Sequence, residues 1–272
     1  MKPRILSAAR LSLPLASALA ALLTAQSVEA ASYYWDIDDA SPGAGGATPG
    51  GNWTSAGTTW STDSTGSSST PAYTTLAADD LFFSAGTDAT GSYSINLTTA
   101  QDAKSLTFEE GAATISGVGG SLSLAAGGGI TVAADAGNAV ISTNLTINGG
   151  QTFNVGLGRS LTLDTGTFIR GTRAAINIQG SGTGSSTMAG LSSNVNDIAG
   201  PWASVGTAAA TTYAKFSGAN VDGLGYTGGT DGVAVAASNL VVTGTGNLNY
   251  TLSAAGAVGS PAVINTLRYS GA

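Results

Sequence analysis

Apolar and polar residues alternate with a period of two through residues 94–180, which is the pattern of β-strands with one buried face. Six short stretches carry it, at Leu106/Phe108, Leu122/Leu124, Ile130/Val132, Leu145/Ile147, Leu161/Leu163 and Ile176/Ile178. Four of them read almost alike: KSLTF, GSLSL, TNLTI and RSLTL. Their leucines are Leu106, Leu122, Leu145 and Leu161, so one longer step along the chain lies between two shorter steps. Glycine-rich turns such as SGVGGS, INGG and GLGRS separate them.

Short strands that recur at steps of about 20 residues predict an all-β solenoid, a parallel β-helix. In such a stack the leucines of the four similar stretches point inward and form ladders between parallel strands, while Ser, Thr and Asn face outward. The alternative is a β-sandwich built from the same strands in antiparallel hairpins. Two-residue Asn-Gly loops are rare in the chain, and this favours the solenoid.

Residues 31–93 concentrate large aromatic side chains in a stretch of Gly, Ser, Thr and Ala. Three of the four tryptophans lie there, Trp35, Trp53 and Trp60. The first rung of a solenoid exposes its core and its unpaired strand edges, so we interpret residues 31–93 as a cap that covers them. The other interpretation is a carbohydrate-binding platform, in which the three rings stack on a glycan.

The chain divides into four regions on these patterns. Residues 1–30 are a predicted signal peptide, because a basic start precedes the apolar stretch LSLPLASALAALL and small residues follow it. Residues 31–93 are the cap and residues 94–180 the regular solenoid. Residues 181–272 are looser: residues 200–226 read as an inserted hairpin or flap, and alternation resumes at Val233/Val235, Leu240/Val242 and Leu248/Tyr250/Leu252. No later segment is apolar enough to span a bilayer as a helix after signal cleavage.

Charge and composition exclude several classes of function. Six Lys and Arg face fifteen Asp and Glu after the predicted cleavage, so the net charge of residues 31–272 is −9, and a nucleic-acid footprint is not expected. Charged residues make up 9% of the chain, against about 25% in a typical soluble domain. The chain has no cysteine and no histidine, which excludes disulfides, His-dependent triads and His metal sites.

Three candidate chemical sites remain, and each has a plain structural interpretation. Asp36, Asp38 and Asp39 form a carboxylate cluster that could bind Ca²⁺, but a solvated turn is the more common outcome. Asp164 with Glu109 or Glu110 could supply the paired carboxylates of a glycosidase.

A lyase acting on acidic polysaccharides needs a basic residue, and Arg170 and Arg173 are the one close basic pair. An acidic chain repels a polyanion, so neither enzyme is expected. We predict no catalytic residue, cofactor or metal.

The order of several blocks resembles autotransporter-associated β-strand repeat proteins, which are large exported bacterial proteins with passenger-like repeats. The blocks are YYWDIDDASPGAGGATPGGNWTSAGTTWS, AADDLFFSAGT, AKSLTFEEGAATISG, GPWASVG with TYAKFSG, and INTLRYSGA. The resemblance covers nearly all of residues 31–272 and implies a right-handed β-helical stalk. Such proteins usually continue for many repeats and end in a translocating barrel or a sorting anchor, whereas this chain stops just after LRYSGA, so the interpretations are a fragment or a truncated reading frame.

These patterns together predict an exported, non-enzymatic protein of the cell surface or extracellular matrix, with an adhesive role. Export across the inner membrane follows from the signal peptide. The expected partners are extracellular glycans or cell-surface components. The alternatives are a carbohydrate-binding module that uses the N-terminal aromatics and, third, a β-helical polysaccharide-degrading enzyme.

Overall fold

A computed structural model describes residues 30–164, 168–180, 187–189, 191, 198–206, 211–217, 220–223, 233–236, 249–252 and 266–269. All regular secondary structure in these ranges is β-strand, and they contain no helix that could cross a membrane. The predicted signal peptide lies almost wholly outside the described residues.

The strands stack as three faces around a common interior. Face 1 consists of β1 (Ser32–Trp35), β4 (Asp80–Phe83), the second half of β6 (Ala100–Phe108), the end of β7 (Ala112–Val132), β9 (Gly150–Val155), β12 (Ala175–Gln179) and β14 (Ala203–Val205). Face 2 consists of β2 (Gly51–Trp53), β5 (Ser92–Leu97), the start of β7, the start of β8 (Ala139–Ile147), β10 (Ser160–Leu163) and β13 (Thr187–Ala189). Face 3 consists of the start of β6, the middle of β7, the end of β8 and β11 (Phe168–Arg170).

The chain visits face 1, face 2 and face 3 in turn and then repeats the circuit one level further along the axis. On face 1 Asp80 pairs with Ser105, Ser105 with Gly129 and Gly129 with Thr152, all between parallel strands. One rung therefore takes about 24 residues, which is within the usual range of repeat lengths in solenoid proteins. The prediction of an all-β solenoid is confirmed, and the β-sandwich alternative is wrong because neighbouring strands along all three faces are parallel.

The interior is filled by the apolar half of each alternating stretch. All eight residues predicted to point inward are buried: Leu106, Phe108, Leu122, Leu124, Leu145, Ile147, Leu161 and Leu163. Alternation in β8 follows the pattern closely, with every second residue from Ala139 to Ile147 buried. The residues between them face solvent, so a single rung is apolar inside and polar outside.

The expected ladder of the four similar leucines is wrong in its register. Leu122 does pair with Leu145, on face 3. Leu106 pairs instead with Ile130 on face 1, and Leu161 pairs with Ala139 on face 2. The longer step, from Leu122 to Leu145, is thus one rung, whereas each of the two shorter steps moves the chain to a different face.

The predicted cap is continuous with the solenoid. β1 pairs in parallel with β4, and β2 pairs in parallel with β5, so residues 31–93 already contain strands of faces 1 and 2. The predicted boundary at residue 93 falls inside β5. β3 (Trp60–Ser61) runs antiparallel to β1 and covers the outer edge of face 1.

At the other end of the stack an antiparallel hairpin joins two faces. β15 (Thr212–Ser217) pairs with β14 of face 1, β16 (Asn220–Gly223) pairs with β13 of face 2, and β15 and β16 pair with each other. Ala214, Phe216 and Val221 are buried beneath it. The hairpin predicted within residues 200–226 is present, and it bridges the end of the stack.

Three further strands form a separate parallel sheet: β17 (Val233–Ala236), β18 (Asn249–Leu252) and β19 (Thr266–Tyr269). The alternation predicted at Val233/Val235 and at Tyr250/Leu252 falls on β17 and β18. Leu240, Val242 and Leu248 lie outside the described residues.

Candidate functional site

The three N-terminal tryptophans fill the interior of the first level of the stack. Trp35 comes from β1, Trp53 from β2 and Trp60 from β3. Trp60 lies edge to face with Trp35 and with Trp53, at ring-centroid distances of 5.3 and 5.2 Å. It also meets Phe83 of the next rung edge to face at 5.5 Å, and Phe83 stacks on Phe108 at 5.2 Å. The aromatic column therefore runs from the closed end into the regular rungs.

Burial of these rings decides what they can contact. The exposed fractions of Trp35, Trp53 and Trp60 are 0%, 0% and 1%. A glycan-stacking platform needs an exposed ring face, and none of the three rings presents one. The site predicted on these tryptophans as a sugar platform is not formed, and the geometry favours the cap interpretation.

The indole N–H groups differ in their partners. Trp35 Nε1 donates to the carbonyl oxygen of Pro49 at 2.6 Å, and Trp53 Nε1 donates to Thr75 Oγ1 at 3.3 Å. Trp60 Nε1 is buried and has no hydrogen-bond partner. The side chain of Trp60 is thus held by packing alone, at the centre of the cluster.

The three aspartates that follow β1 do not assemble a calcium site. Asp36 is fully buried, and its Oδ1 accepts a hydrogen bond from the backbone N–H of Asp38 at 3.1 Å. Burial, reinforced by Asp38 and Asp39, raises the pKa of Asp36 to about 7. Asp39 Oδ1 accepts from the backbone N–H of Thr70 at 2.8 Å. Within the described residues no group of three carboxylates is placed to hold a metal ion.

Asp79, which precedes β4, and Asp80, the first residue of β4, bind groups of the same and of the neighbouring rung. Asp79 Oδ2 accepts hydrogen bonds from the Tyr73 hydroxyl and from the backbone N–H of Leu76, both at 2.7 Å. Asp80 pairs with Lys104 at 3.2 Å. These groups therefore already have partners within the fold.

The proposed glycosidase pair is separated by the rung geometry. Leu163 pairs with Ile141, and Ile141 pairs with Ile115, so Asp164 lies level with Ser116 on face 2. Glu110 lies before the corner at Gly111, and the extended segment from Ala112 to Ser116 alone spans about 13 Å. Asp164 therefore cannot act with Glu110 or with its neighbour Glu109.

Of the basic pair, Arg170 contacts other groups of the fold, whereas Arg173 is exposed. The Arg170 guanidinium lies 4.9 Å from the centroid of the Trp202 ring, and its Nη1 donates to the carbonyl oxygen of Ala174 at 2.9 Å. Trp202 also packs on Phe168, at a centroid distance of 6.0 Å. Arg170 thus holds Trp202 against β11, and Arg173 lies in the turn after β11.

A cavity that the sequence did not predict lies at the corner between faces 1 and 2. Its volume is about 390 Å³, and its lining comes from four successive rungs. Glu110, Asp135 and Arg159 supply its charged groups, and the rest of the lining comes from small residues such as Gly91, Ser92 and Gly111.

The corner is narrow because the backbones of neighbouring rungs touch there. Ala112 N–H donates to the carbonyl oxygen of Gly91 at 2.9 Å, and Gly137 N–H donates to that of Gly111 at 2.6 Å. Gly111 has φ of 55°, and a Cβ at this position would collide with the carbonyl oxygens of Ala89 and Gly91. Glycine is therefore required for the chain to turn this corner.

Three charged side chains set the electrostatics of the corner cavity: Glu110, Asp135 and Arg159. The Glu110 carboxyl is partly buried. Burial raises the pKa of Glu110 above its usual range; the backbone N–H of Ala89 opposes this rise, and the charge of Asp88 adds to it. Glu110 Oε2 is buried and has no hydrogen-bond partner. Arg159 Nε donates to the carbonyl oxygen of Ala134 at 2.7 Å. Lys104 forms its ion pair with Asp80, away from the cavity, and among the described residues no ion pair joins Arg159 to either cavity carboxylate.

Apart from Asp80 on face 1, the outward columns of faces 1 and 2 carry short, uncharged side chains. On face 1 they carry Ser105, Thr107, Gly129, Thr131, Thr152 and Asn154, and on face 2 Ser94, Asn96, Thr114, Ser116, Val140 and Ser142. Asn96 Nδ2 donates to Asn52 Oδ1 at 3.3 Å across neighbouring rungs. Comparison of the chain with protein-family models, with curated proteins and with solved structures finds no match.

Proposed function

We propose that the chain is an exported, non-enzymatic protein of the bacterial cell surface or extracellular matrix, in which the β-solenoid acts as a stalk with an adhesive role. The observation that carries the proposal is the division of each rung between inward-facing and outward-facing side chains. Their interior is largely apolar, with Gln101, Thr143 and Gln151 buried among the apolar side chains, and their outward columns are mostly short hydroxyl and amide side chains. Such a body is a rigid spacer with a long, hydrogen-bonding surface.

The sequence supports the same proposal. The start of the chain has the basic, apolar and small-residue order of a secretory signal. The chain has no cysteine and no histidine, so the candidate nucleophile and acid–base chemistry is limited to hydroxyls, carboxylates and the few lysines. The carboxylates proposed for hydrolysis lie far apart, and the aspartates near β1 and β4 are engaged within the fold.

Export is tested by following the chain through cell fractions of a bacterial host. We expect the full-length chain to be found outside the inner membrane, with a new N-terminus at Ala31. Replacing Leu15 and Leu19 by arginine interrupts the apolar stretch, and this double variant is expected to stay in the cytoplasm. The matched control replaces the same two leucines by isoleucine and should be exported normally. Cytoplasmic retention of the wild-type chain would refute the proposal.

A further inference from the structure

The corner cavity combines charges of both signs that do not neutralise each other. Glu110, Asp135 and Arg159 all line it, yet no ion pair joins Arg159 to either carboxylate. The guanidinium uses its Nε on the carbonyl oxygen of Ala134, which leaves donors on its two terminal nitrogens. Glu110 Oε2 has no hydrogen-bond partner, although the atom is buried, and the exposed Asp135 carboxylate supplies acceptors at the cavity. The cavity therefore offers both hydrogen-bond donors and acceptors to a ligand.

The stacking of the rungs places these groups in a column along the axis. The spacing from Glu110 to Asp135 and the spacing from Asp135 to Arg159 each match the length of one rung, so each residue lies one rung from the next. Neighbouring rungs are about 4.8 Å apart. The terminal torsion of a glutamate is a broad two-fold rotor, so the Glu110 carboxyl can turn either oxygen toward the cavity.

The size and lining of the cavity select the ligand class. A volume of about 390 Å³ is within the range of about 300–1,000 Å³ for small-molecule sites. Two carboxylates disfavour an anion, and Arg159 disfavours a cation. Hydroxyl groups both donate and accept, so a sugar ring matches a lining that offers donors and acceptors together.

We propose that the corner cavity binds a sugar unit of a neutral polysaccharide. Glu110 and Asp135 accept hydrogen bonds from neighbouring hydroxyls, and Arg159 donates to a hydroxyl or ring oxygen. The choice of ligand rests on the proposed adhesive function, since a surface stalk meets polysaccharide. The site differs from the tryptophan platform, whose rings are buried.

The experiment is titration calorimetry of the full mature chain with maltohexaose, cellohexaose and mannohexaose. We expect at least one of them to bind, and Asp135→Asn and Arg159→Gln to weaken binding by about tenfold or more, because each removes a charged hydrogen bond. The matched controls are Asp102→Asn, on the exposed side of face 3, and Lys104→Gln, on face 1. Both should bind within about twofold of the wild type, and all four variants should melt near the wild-type temperature.

The outcomes separate this proposal from the proposed function. Lack of binding by the wild-type chain, or equal binding by the cavity variants and the wild type, overturns the cavity assignment and leaves export untouched. Binding of CaCl₂ alone, lost in Asp135→Asn, also overturns it. Cleavage of a bound oligosaccharide supports the ligand class but refutes the non-enzymatic function. Retention in the cytoplasm refutes the proposed function whatever the calorimetry shows.

Discussion

The rings of Trp53 and Trp60 meet edge to face, with centroids 5.2 Å apart and planes inclined by 70°. Two segments that are otherwise polar meet through this contact, and Phe83 of the next rung lies against both rings, at 6.0 and 5.5 Å. The closed end of the solenoid is thus stabilised by aromatic packing between levels. Each aromatic pair of this kind contributes about 0.5–1.5 kcal/mol of stability beyond the contribution from the area that it buries.

Trp53→Ala and Trp60→Ala should each lower the free energy of unfolding by about 3–5 kcal/mol, the usual cost of removing a buried aromatic side chain. Urea denaturation monitored by circular dichroism measures it. Leu157→Ala is the control, because Leu157 is 75% exposed and its loss should cost little. A wild-type melting temperature in both tryptophan variants would show that these rings do not hold the end of the stack.

Replacement by phenylalanine should lower stability by different amounts at Trp35 and at Trp60. Trp35→Phe leaves the buried carbonyl of Pro49 without its donor, whereas Trp60→Phe removes an N–H that has no partner. We expect Trp35→Phe to cost about 1–3 kcal/mol more than Trp60→Phe, which is the penalty for an unpaired buried acceptor. Equal losses in paired denaturation curves would contradict the hydrogen-bond assignment.

Replacement by alanine should have opposite effects on stability at Gly129 and at Gly150, the two glycines that begin strand segments of face 1. A Cβ at Gly129 would collide with the carbonyl oxygen of Thr152 on the next rung, whereas Gly150 has no atom within 4 Å of that position. Gly129→Ala should therefore be strongly destabilising. Gly150→Ala should be neutral or should stabilise by about 0.5–1 kcal/mol through the unfolded chain. Thermal unfolding of both variants checks this, and a stable Gly129→Ala protein would refute the tight rung contact.

The buried Asp36 carboxyl should make stability fall with rising pH. Its pKa of about 7 in the folded chain exceeds the value of about 3.9 expected in the unfolded chain. Between about pH 4 and 7 the folded state keeps a proton that the unfolded state has lost. The free energy of unfolding therefore decreases through this window and levels off above it.

Asp36→Asn removes that proton and keeps the acceptor for Asp38 N–H. The variant should be more stable than the wild type by roughly 2 kcal/mol at pH 8, and the difference should shrink toward zero near pH 4. Asp102→Asn, at an exposed position on face 3, is the matched control for loss of a carboxylate. A constant difference between Asp36→Asn and the wild type across pH 4–8 would contradict the raised pKa.

Alternation alone was enough to predict the strands and the inward side of each, because buried and exposed positions in β8 follow it residue by residue. It could not assign faces. The stretches around Leu106, Leu122 and Leu161 look alike because every face meets the same apolar interior, so similar sequence does not mean neighbouring position. The register became visible only through pairs such as Leu122 with Leu145.

The corner cavity could have been predicted only with the rung length known. Glu110, Asp135 and Arg159 share no local motif, and the sequence alone did not show that the longer leucine step, rather than the shorter ones, is the rung. Once the rung length is known from the strand pairs of face 1, the spacings of these three residues place them together. The burial of the N-terminal tryptophans depends on which side chains the rung interior can hold, and composition could not decide that.

The hairpin of β15 and β16 links the last strands of faces 1 and 2 by antiparallel pairing, while β3 covers face 1 at the opposite end. The rungs between them contact chiefly the levels before and after. Duplication of one such unit within the gene would therefore lengthen the rod by about 4.8 Å and leave both closures intact. Each inserted copy would also carry its own corner, so the column of corner residues would lengthen together with the rod.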